Sequence, residues 1–184
     1  MGLGDLAPDE SSLVERARQG DRVAFGAIYD AYQARIAGYL FRLVNDPEVA
    51  ADLTQDVFVR AYRAIGQTRP GLNLKAWLFA IATNAAISHH RRRRLVQWLP
   101  LSPTREDPTV AGPEECVPER AALVAALARL PRDHVACFLL WAREGFTYEE
   151  IGSMLGISAG TAKTRSYRTR LALARILREH EDST

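Results

Sequence analysis

The sequence has only two cysteines, Cys116 and Cys137, in 184 residues. It also lacks any uncharged apolar run of about 18 residues, the length needed to cross a membrane. Two cysteines in no metal-binding spacing exclude a cysteine-rich zinc module and a disulfide scaffold. The first residues carry neither a basic segment nor an apolar core, so they do not resemble a signal peptide. We therefore expect a cytoplasmic globular protein with free thiols.

Acidic residues are missing from two long stretches, 61–105 and 158–178, although the net charge of the chain is only +2. Clustered lysine and arginine neutralise phosphates, so two cationic stretches indicate two nucleic-acid-binding surfaces. The alternative is a pair of solvated helix faces, but such faces normally mix both signs. The basic residues of the two stretches are Arg63, Arg69, Lys75, Arg91, Arg92, Arg93, Arg94 and Arg105, then Lys163, Arg165, Arg168, Arg170, Arg175 and Arg178.

Alternating runs of β-branched residues are also absent, and apolar residues recur at helical spacing over nearly the whole chain. This pattern predicts an all-α fold. Ser11 and Ser12 are expected to cap a first helix that ends at about Arg18, and Asp21 to cap the second. The apolar stripe of the second helix consists of Phe25, Ile28, Tyr29, Tyr32, Ile36, Tyr39, Leu40 and Leu43.

Two more helices are predicted before the middle of the chain. Pro47 suits the first turn of the third helix, which should bury Leu53, Val57, Tyr62 and Ile65. Residues 66–73, which include a proline and a glycine, should form a loop. The fourth helix should run from Leu74 to the arginine cluster, with these residues turned inward: Trp77, Leu78, Ile81 and Ile87.

Five prolines stand among serine, threonine, glutamate and glycine in residues 100–118. This composition is unsuited to a packed core and is typical of an extended connector. We therefore predict two small helical domains, residues 11–95 and 119–180, joined by a flexible linker at 96–118. The second domain should begin with two helices separated by Pro131.

Residues 147–165 have the pattern of a helix-turn-helix. Thr147 and Glu150 are spaced as a capping box at the start of one helix, Gly156 suits the turn, and Ser158 suits the cap of the next helix. Gly152 would let two steeply crossing helices approach closely. The alternative is an ordinary helical hairpin with a basic face, which the coincidence of cap, turn and acid-free surface disfavours.

One face of the second helix of this motif is expected to enter the DNA major groove. At about 100° per residue, Lys163, Thr164, Tyr167 and Arg168 share that face. The other predicted contacts are with phosphates, through the helix N-terminus or the flanks of the helix. They are Ser158, Thr161, Arg165 and Arg170.

Two further segments, 52–65 and 76–84, together with the C-terminal motif, make a specific combination. The chain resembles the extracytoplasmic-function branch of the sigma-70 family from about residue 11 to residue 177. The resemblance implies a region 2 in the first domain and a region 4 in the second. It also implies that Asp52, Gln55 and Asp56 bind the clamp coiled coil of core RNA polymerase. The alternative is that these residues only form a solvated acidic face.

The resemblance also implies that residues 66–73 form a loop that holds an unstacked base of the minus-ten element. Thr68 and Leu74 stand at positions that are often aromatic in relatives, and Ser166 stands at a position that is often aliphatic. Trp77 is expected to lie in the core, and a contact with a DNA strand is the less favoured alternative. His89, His90 and the arginines that follow them are expected to contact phosphates, and a purely solubilising role is the alternative. The implied minus-ten contacts are Gln67, Thr68, Arg69, Asn73, Lys75, Asn84, Arg91, Arg92 and Arg93.

The implied function is promoter recognition and melting as part of RNA polymerase, with core polymerase (clamp coiled coil and flap), promoter DNA and an anti-sigma factor as partners. No cofactor is expected. The main rival is a stand-alone helix-turn-helix regulator. An enzyme using Asp52 and Asp56, or His89 and His90, is disfavoured because no nucleophile–base set or phosphate loop accompanies them.

Overall fold

The computed structural model describes residues 10–97 and 118–181, all of whose regular elements are helical, as the sequence predicts. The N-terminal half consists of α1 to α4 and the C-terminal half of α5 to α8. The helices are α1 Glu10–Arg18, α2 Arg22–Val44, α3 Pro47–Ala64, α4 Leu74–Gln97, α5 Pro118–Ala128, α6 Arg132–Ala142, α7 Tyr148–Leu155 and α8 Ala159–Glu181.

The N-terminal half is built around α2, whose two ends are fixed by local chemistry. Asp21 caps the helix, because its Oδ1 accepts hydrogen bonds from the Val23 and Ala24 amides at 2.8 and 3.1 Å. The Ala24 amide and the Arg16 guanidinium hold the pKa of Asp21 below its ordinary value. Asn45 ends the helix in a left-handed conformation, with φ 56°. The Asp21 cap is the boundary that the sequence predicts.

The core of this half lies between α2, α3 and α4. Tyr39 is 1% exposed, its hydroxyl pairs with Thr83 Oγ1 at 2.7 Å, and its ring meets Phe79 edge-on with centroids 5.2 Å apart. Removal from water raises the pKa of Tyr39, so the hydroxyl stays neutral. The predicted stripe of α2 lies in this core, with Phe25 and Tyr29 at its partly buried edge.

Several predicted details of the N-terminal half are wrong. Helix α1 begins at Glu10, so Ser11 and Ser12 lie inside its first turn, and Tyr32 donates a hydrogen bond of 2.6 Å to Glu10 Oε2. Tyr62 is 45% exposed, because its ring packs on the edge of Phe25 at the surface.

The inner face of α3 is completed instead by Phe58 and Ala61, which are 4% and 0% exposed. The predicted loop also starts later, at Thr68, because Ile65–Gln67 forms a 3-10 turn.

Helix α4 buries a different set of side chains from the one predicted. Leu78 is fully buried as expected, but Trp77 and Ile81 pack only against the edge of the core, and Ile87 is half-buried. Phe79 and a row of small residues take the inner face, since α2 and α3 approach it closely; they are Ala82, Thr83, Ala85 and Ala86. The helix continues to Gln97, and residues 98–117 of the predicted linker, with Cys116, lie outside the described residues.

The C-terminal half packs α5, α6 and α7 against α8. Pro131 separates α5 from α6, as the sequence predicts. Helix α6 supplies Val135, Ala136, Cys137 and Leu140, all 0% exposed. Cys137 is a core residue with a free thiol, and its burial raises the pKa of that thiol.

Local interactions fix the two ends of α7 and its close approach to α8. Thr147 Oγ1 accepts from the Glu150 amide at 3.2 Å, and Glu150 Oε2 accepts from the Thr147 amide at 2.8 Å, which is the predicted capping box. Gly156 ends α7 with φ 66°. A Cβ at Gly152 would lie 2.7 Å from the Ile157 carbonyl oxygen, so this glycine permits the close approach. The predicted helix-turn-helix is confirmed.

The two halves are in direct contact. Helices α2 and α4 pack against α5, α6 and α7, and a single hydrophobic cluster runs through both halves. No local pattern in the sequence predicts this contact between the halves.

Two glycines allow a direct test of the turn between α7 and α8. A Cβ at Gly156 or at Gly26 meets no atom within 4 Å, but only Gly156 has a positive φ. Gly156→Ala should therefore lower the free energy of unfolding by about 1 kcal/mol through backbone strain alone. Gly26→Ala, within α2, should raise it by about 0.5–1 kcal/mol. Urea denaturation measures both, and equal effects would contradict the assigned turn.

Candidate nucleic-acid interface

The candidate recognition surface is the outer face of α8. Lys163, Thr164, Tyr167 and Arg168 are all exposed, and Tyr167 is 51% exposed. The opposite face is buried against the rest of the half through Ala162, Ser166, Thr169 and Leu173. The 3.6-residue period of one helix thus places every predicted base-contacting side chain in solvent on one side.

The N-terminus of α8 is ordered by its own side chains. Ser158 Oγ accepts from the Thr161 amide at 3.1 Å and pairs with Thr161 Oγ1 at 2.8 Å. Thr164 Oγ1 donates to the Gly160 carbonyl at 2.9 Å. This end of α8 is free of acidic side chains, so its positive dipole end can attract a phosphate.

The two flanking arginines of α8 lie in different surroundings. Arg170 is exposed, with its guanidinium 5.4 Å from the Tyr167 ring centroid. Arg165 instead turns toward α6, where its Nη2 lies 3.2 Å from Asp133 Oδ2 and its side chain is 27% exposed. The sequence predicts Arg165 as a free phosphate-binding cation, but in the structure its guanidinium is paired with the carboxylate of Asp133 on α6.

A groove lies beside this face, between α6, α7 and α8. The Trp141 and Tyr148 rings are stacked 5.9 Å apart with an interplanar angle of 12°, and they line a cavity of about 360 Å³. Its other walls are Lys163, Thr164, Ser166, Tyr167 and Arg170. The recognition face therefore combines cations with aromatic surface.

The second basic surface starts at the loop between α3 and α4. Arg18 of α1 anchors this loop, since its Nε and Nη2 both donate to the Thr68 carbonyl at 3.0 and 2.7 Å. Thr68 Oγ1 donates to the Ile65 carbonyl, and Asn73 Oδ1 accepts from the Ala76 amide at 3.0 Å. The loop is thus attached at both ends, while Gln67 and Arg69 stay exposed.

The surface continues along α4. Asn84 and the arginines Arg91, Arg92 and Arg93 are exposed, and His89 and His90 are half-buried. Lys75 is different: its Nζ donates to the Glu144 carbonyl and lies 4.5 Å from the Phe146 ring centroid. This predicted DNA contact is therefore occupied by the C-terminal half.

The acidic face of α3 points away from the core. Asp52 and Gln55 are exposed, and Asp56 is half-exposed and pairs with Arg60 at 2.6 Å. Leu53 and Val57, on the other side of the helix, are buried. The structure thus brings the three predicted polymerase-binding residues together on one surface.

Comparison with known proteins agrees with this geometry. Residues 28–96 match the family Sigma-70 region 2, and residues 120–173 match Sigma-70, region 4. The chain is 35% identical to the RNA polymerase sigma factor CarQ of Myxococcus xanthus, over 91% of this chain and 97% of CarQ. It is 32% identical to the ECF RNA polymerase sigma-E factor of Haemophilus influenzae, over 88% and 91% of the two chains.

The chain belongs to the extracytoplasmic-function branch of the sigma-70 family. Members of this family are transcription initiation factors and not enzymes. A similar solved structure is that of the sigma factor RpoE from Bartonella quintana in complex with the anti-sigma factor NepR, with a TM-score of 0.72 and 28% identity over 84% of this chain and 96% of that chain.

Sequence reasoning missed three residues of this sigma factor that organise the surfaces. Arg18 holds the loop from another helix, and Arg35 and Glu144 join the two halves. The partners of Arg18 and Arg35 lie 50 and 109 residues away, so no local pattern could indicate them. Among the described residues there is no membrane-spanning helix and no group of three metal-binding side chains.

The anchoring role of Arg18 can be tested with a neighbouring arginine as control. The Arg18 side chain is 15% exposed and makes two bonds to one carbonyl, whereas Arg16 is 52% exposed and pairs with Asp21 at the surface. Arg18→Met should cost about 1.5–3 kcal/mol of unfolding free energy. Arg16→Met should cost less than about 1 kcal/mol. Hydrogen exchange of the 68–73 amides should rise only in Arg18→Met; unchanged exchange would contradict the anchoring role.

Proposed function

We propose that this sigma factor binds the minus-35 element through α8 and the minus-ten element through the loop before α4, while α3 holds core RNA polymerase. The observation that supports the proposal best is the outer face of α8, which is acid-free, exposed and oriented by a helix-turn-helix. Region 2 is assigned to residues 11–95 and region 4 to residues 119–180, with a connector between them.

At the minus-35 element, α8 would lie in the major groove. Lys163 and Arg168 can donate to guanine O6 and N7, and Thr164 and Tyr167 can contact a base edge or a thymine methyl. Ser158 and Thr161 at the helix N-terminus, and Arg170 at its side, suit phosphates. Arg165 would join them only after leaving Asp133.

At the minus-ten element, the anchored loop would hold a base that leaves the duplex. Extruding a base costs a few kcal/mol, so polar groups and cations must compensate. Gln67, Thr68, Arg69 and Asn73 would surround the base. Asn84 and the arginines at the end of α4 would follow the strand, and Lys75 would contribute once it is released from the C-terminal half.

The polymerase contact is assigned to Asp52, Gln55 and Asp56 on α3, facing the clamp coiled coil, with the flap contacting region 4. Two solvent-facing carboxylates and an amide on one helix face suit a basic partner surface. The similarity to a sigma factor solved with its anti-sigma factor supports a partner of that kind here. We further propose that the chain acts in the cytoplasm, where an anti-sigma factor could hold it at the membrane.

Run-off transcription tests the proposed function. Templates come from the genes whose transcripts rise when the chain is overexpressed, and each is incubated with core RNA polymerase with and without the protein. A promoter-dependent product is expected only with the protein. Absence of product on every template, together with tight duplex binding in gel shifts without polymerase, would instead identify a stand-alone helix-turn-helix regulator.

Two sets of substitutions should separate base reading from phosphate binding. Lys163→Ala and Arg168→Ala should each change the preference at particular minus-35 positions by about 1–3 kcal/mol. The double variant Arg92→Ala/Arg93→Ala should weaken binding to all sequences alike and reduce the salt slope by about 2. Binding of polymerase holoenzyme to a library of minus-35 variants at several salt concentrations measures both. Uniform weakening by Lys163→Ala would move that residue to the phosphate class.

A further inference from the structure

Arg165 lies on the flank of α8 that faces α6, and its surroundings differ from those of the neighbouring cations. Lys163, Arg168 and Arg170 are exposed. Arg165 is half-buried, and its Nη2 lies 3.2 Å from Oδ2 of Asp133, a residue in the first turn of α6. A carboxylate of another helix thus holds one cation of the recognition helix, while the others face solvent.

The thiol of Cys137, one turn further along α6, is affected by the same guanidinium. Burial raises the pKa of this thiol, and the positive charge of Arg165 lowers it in part. Asp133 and Cys137 are four positions apart, so they lie on the same face of α6, which packs against α8. The guanidinium of Arg165 is therefore directed at α6 and away from the outer face of α8.

Helical geometry gives Arg165 a second possible partner. At about 100° per residue, it stands between Thr169, which is 2% exposed, and Arg168, which lies on the outer face. Phosphate contacts of a helix in the major groove come from such flanking positions. Because the arginine side chain is long and flexible, its guanidinium can turn either to Asp133 or to a phosphate of DNA bound at the outer face.

The pair with Asp133 is weak enough for DNA to break. The side chains of Arg165 and Asp133 are 27% and 40% exposed, so water screens their attraction. A partly exposed ion pair of this kind changes an equilibrium by at most about fivefold. A phosphate can therefore take Arg165 from Asp133, but the affinity for DNA is lowered by the factor with which Asp133 holds it.

We propose that Asp133 lowers the affinity of α8 for DNA, because its carboxylate competes with a DNA phosphate for Arg165. The inference rests on the proposed function, and it names a residue that regulates the strength of the minus-35 contact without touching DNA. Phosphate contacts are independent of sequence, whereas Lys163 and Arg168 are assigned to base edges. Asp133 thus lowers the affinity for promoter and unrelated DNA by the same factor.

The test is a double-mutant cycle on Asp133 and Arg165, read as the affinity of polymerase holoenzyme for the promoter duplex identified by run-off transcription. Asp133→Asn removes the charge and keeps the size of the side chain, and it should strengthen binding about two- to fivefold. In the Arg165→Ala background the same substitution should have little effect, since the arginine that it frees is absent. Equal strengthening in both backgrounds would indicate a general effect of charge and overturn the proposal.

A second ion pair on α8 supplies the matched control. Glu179 Oε1 lies 3.5 Å from Arg175 Nε, and Arg175 is about 15 Å further along the helix than Arg165. Glu179→Gln also removes one carboxylate beside an arginine of α8, but it should leave the affinity unchanged. A gain as large as that of Asp133→Asn would contradict the role of Arg165. Circular dichroism checks that each variant keeps its helices.

Salt and sequence dependence identify the new partner of Arg165 as a phosphate. In Asp133→Asn the slope of log affinity against log salt concentration should steepen by up to about 0.9, the value for one phosphate neutralised. The gain in affinity should be the same for the promoter duplex and for a random-sequence duplex. A gain confined to the promoter sequence would overturn the competition with phosphate.

Lys163→Ala, measured in the same assay, separates this proposal from the proposed function. If Lys163→Ala weakens promoter binding while Asp133→Asn leaves it unchanged, α8 binds DNA as proposed and only the competition by Asp133 is refuted. If neither substitution changes binding, the assignment of α8 to the minus-35 element fails, and the inference about Asp133 fails with it.

Discussion

Three aromatic rings form a continuous chain through the middle of the molecule. Tyr39 of α2 meets Phe79 of α4 edge-on, and Phe79 meets Phe146 of the C-terminal half in the same way. Edge-to-face ring pairs contribute stability beyond the area that they bury. The Tyr39 hydroxyl is paired with Thr83, and the two phenylalanine rings carry no polar group. Because these rings belong to both halves, the packing of region 2 and the position of region 4 depend on the same side chains.

Around this centre, charge and burial are divided along each helix. Helix α4 is apolar and small-residue-rich where it crosses α2, and basic and exposed where it leaves the core. Helix α8 is divided lengthwise, with Ala162 and Leu173 inside and Lys163 and Arg168 outside. The residues that pack the core and the residues to which we assign DNA binding are therefore different residues of the same helices.

Local chemistry is what the sequence predicts well. The Asp21 cap, the Thr147–Glu150 capping box and the Gly156 turn depend on residues within four positions of each other, and all three are confirmed. The exposed face of α8 follows from helical periodicity and is confirmed as well. Of the predicted site, the placement of these exposed residues could thus be read from the sequence, while their individual contacts with DNA stay a prediction.

Long-range partners account for what the sequence could not predict. Lys75 and Arg165 look like free cations in the sequence, but each meets an oxygen of a distant segment, Glu144 or Asp133. Tyr62 fits the inner stripe of α3 by spacing, yet Phe25 offers its ring an edge at the surface. In each case a group more than 30 positions away decides the outcome, and helical periodicity contains no information about it.

The sulfur of Cys137 illustrates what burial does to reactivity. Burial raises the pKa of this thiol, and the residue has no exposed surface, so the nucleophilic thiolate is scarce at neutral pH and no reagent reaches it. Oxidants and electrophiles therefore find no accessible thiolate at this position. Oxidation or alkylation of Cys137 would therefore require the helix-turn-helix half of the molecule to unfold first.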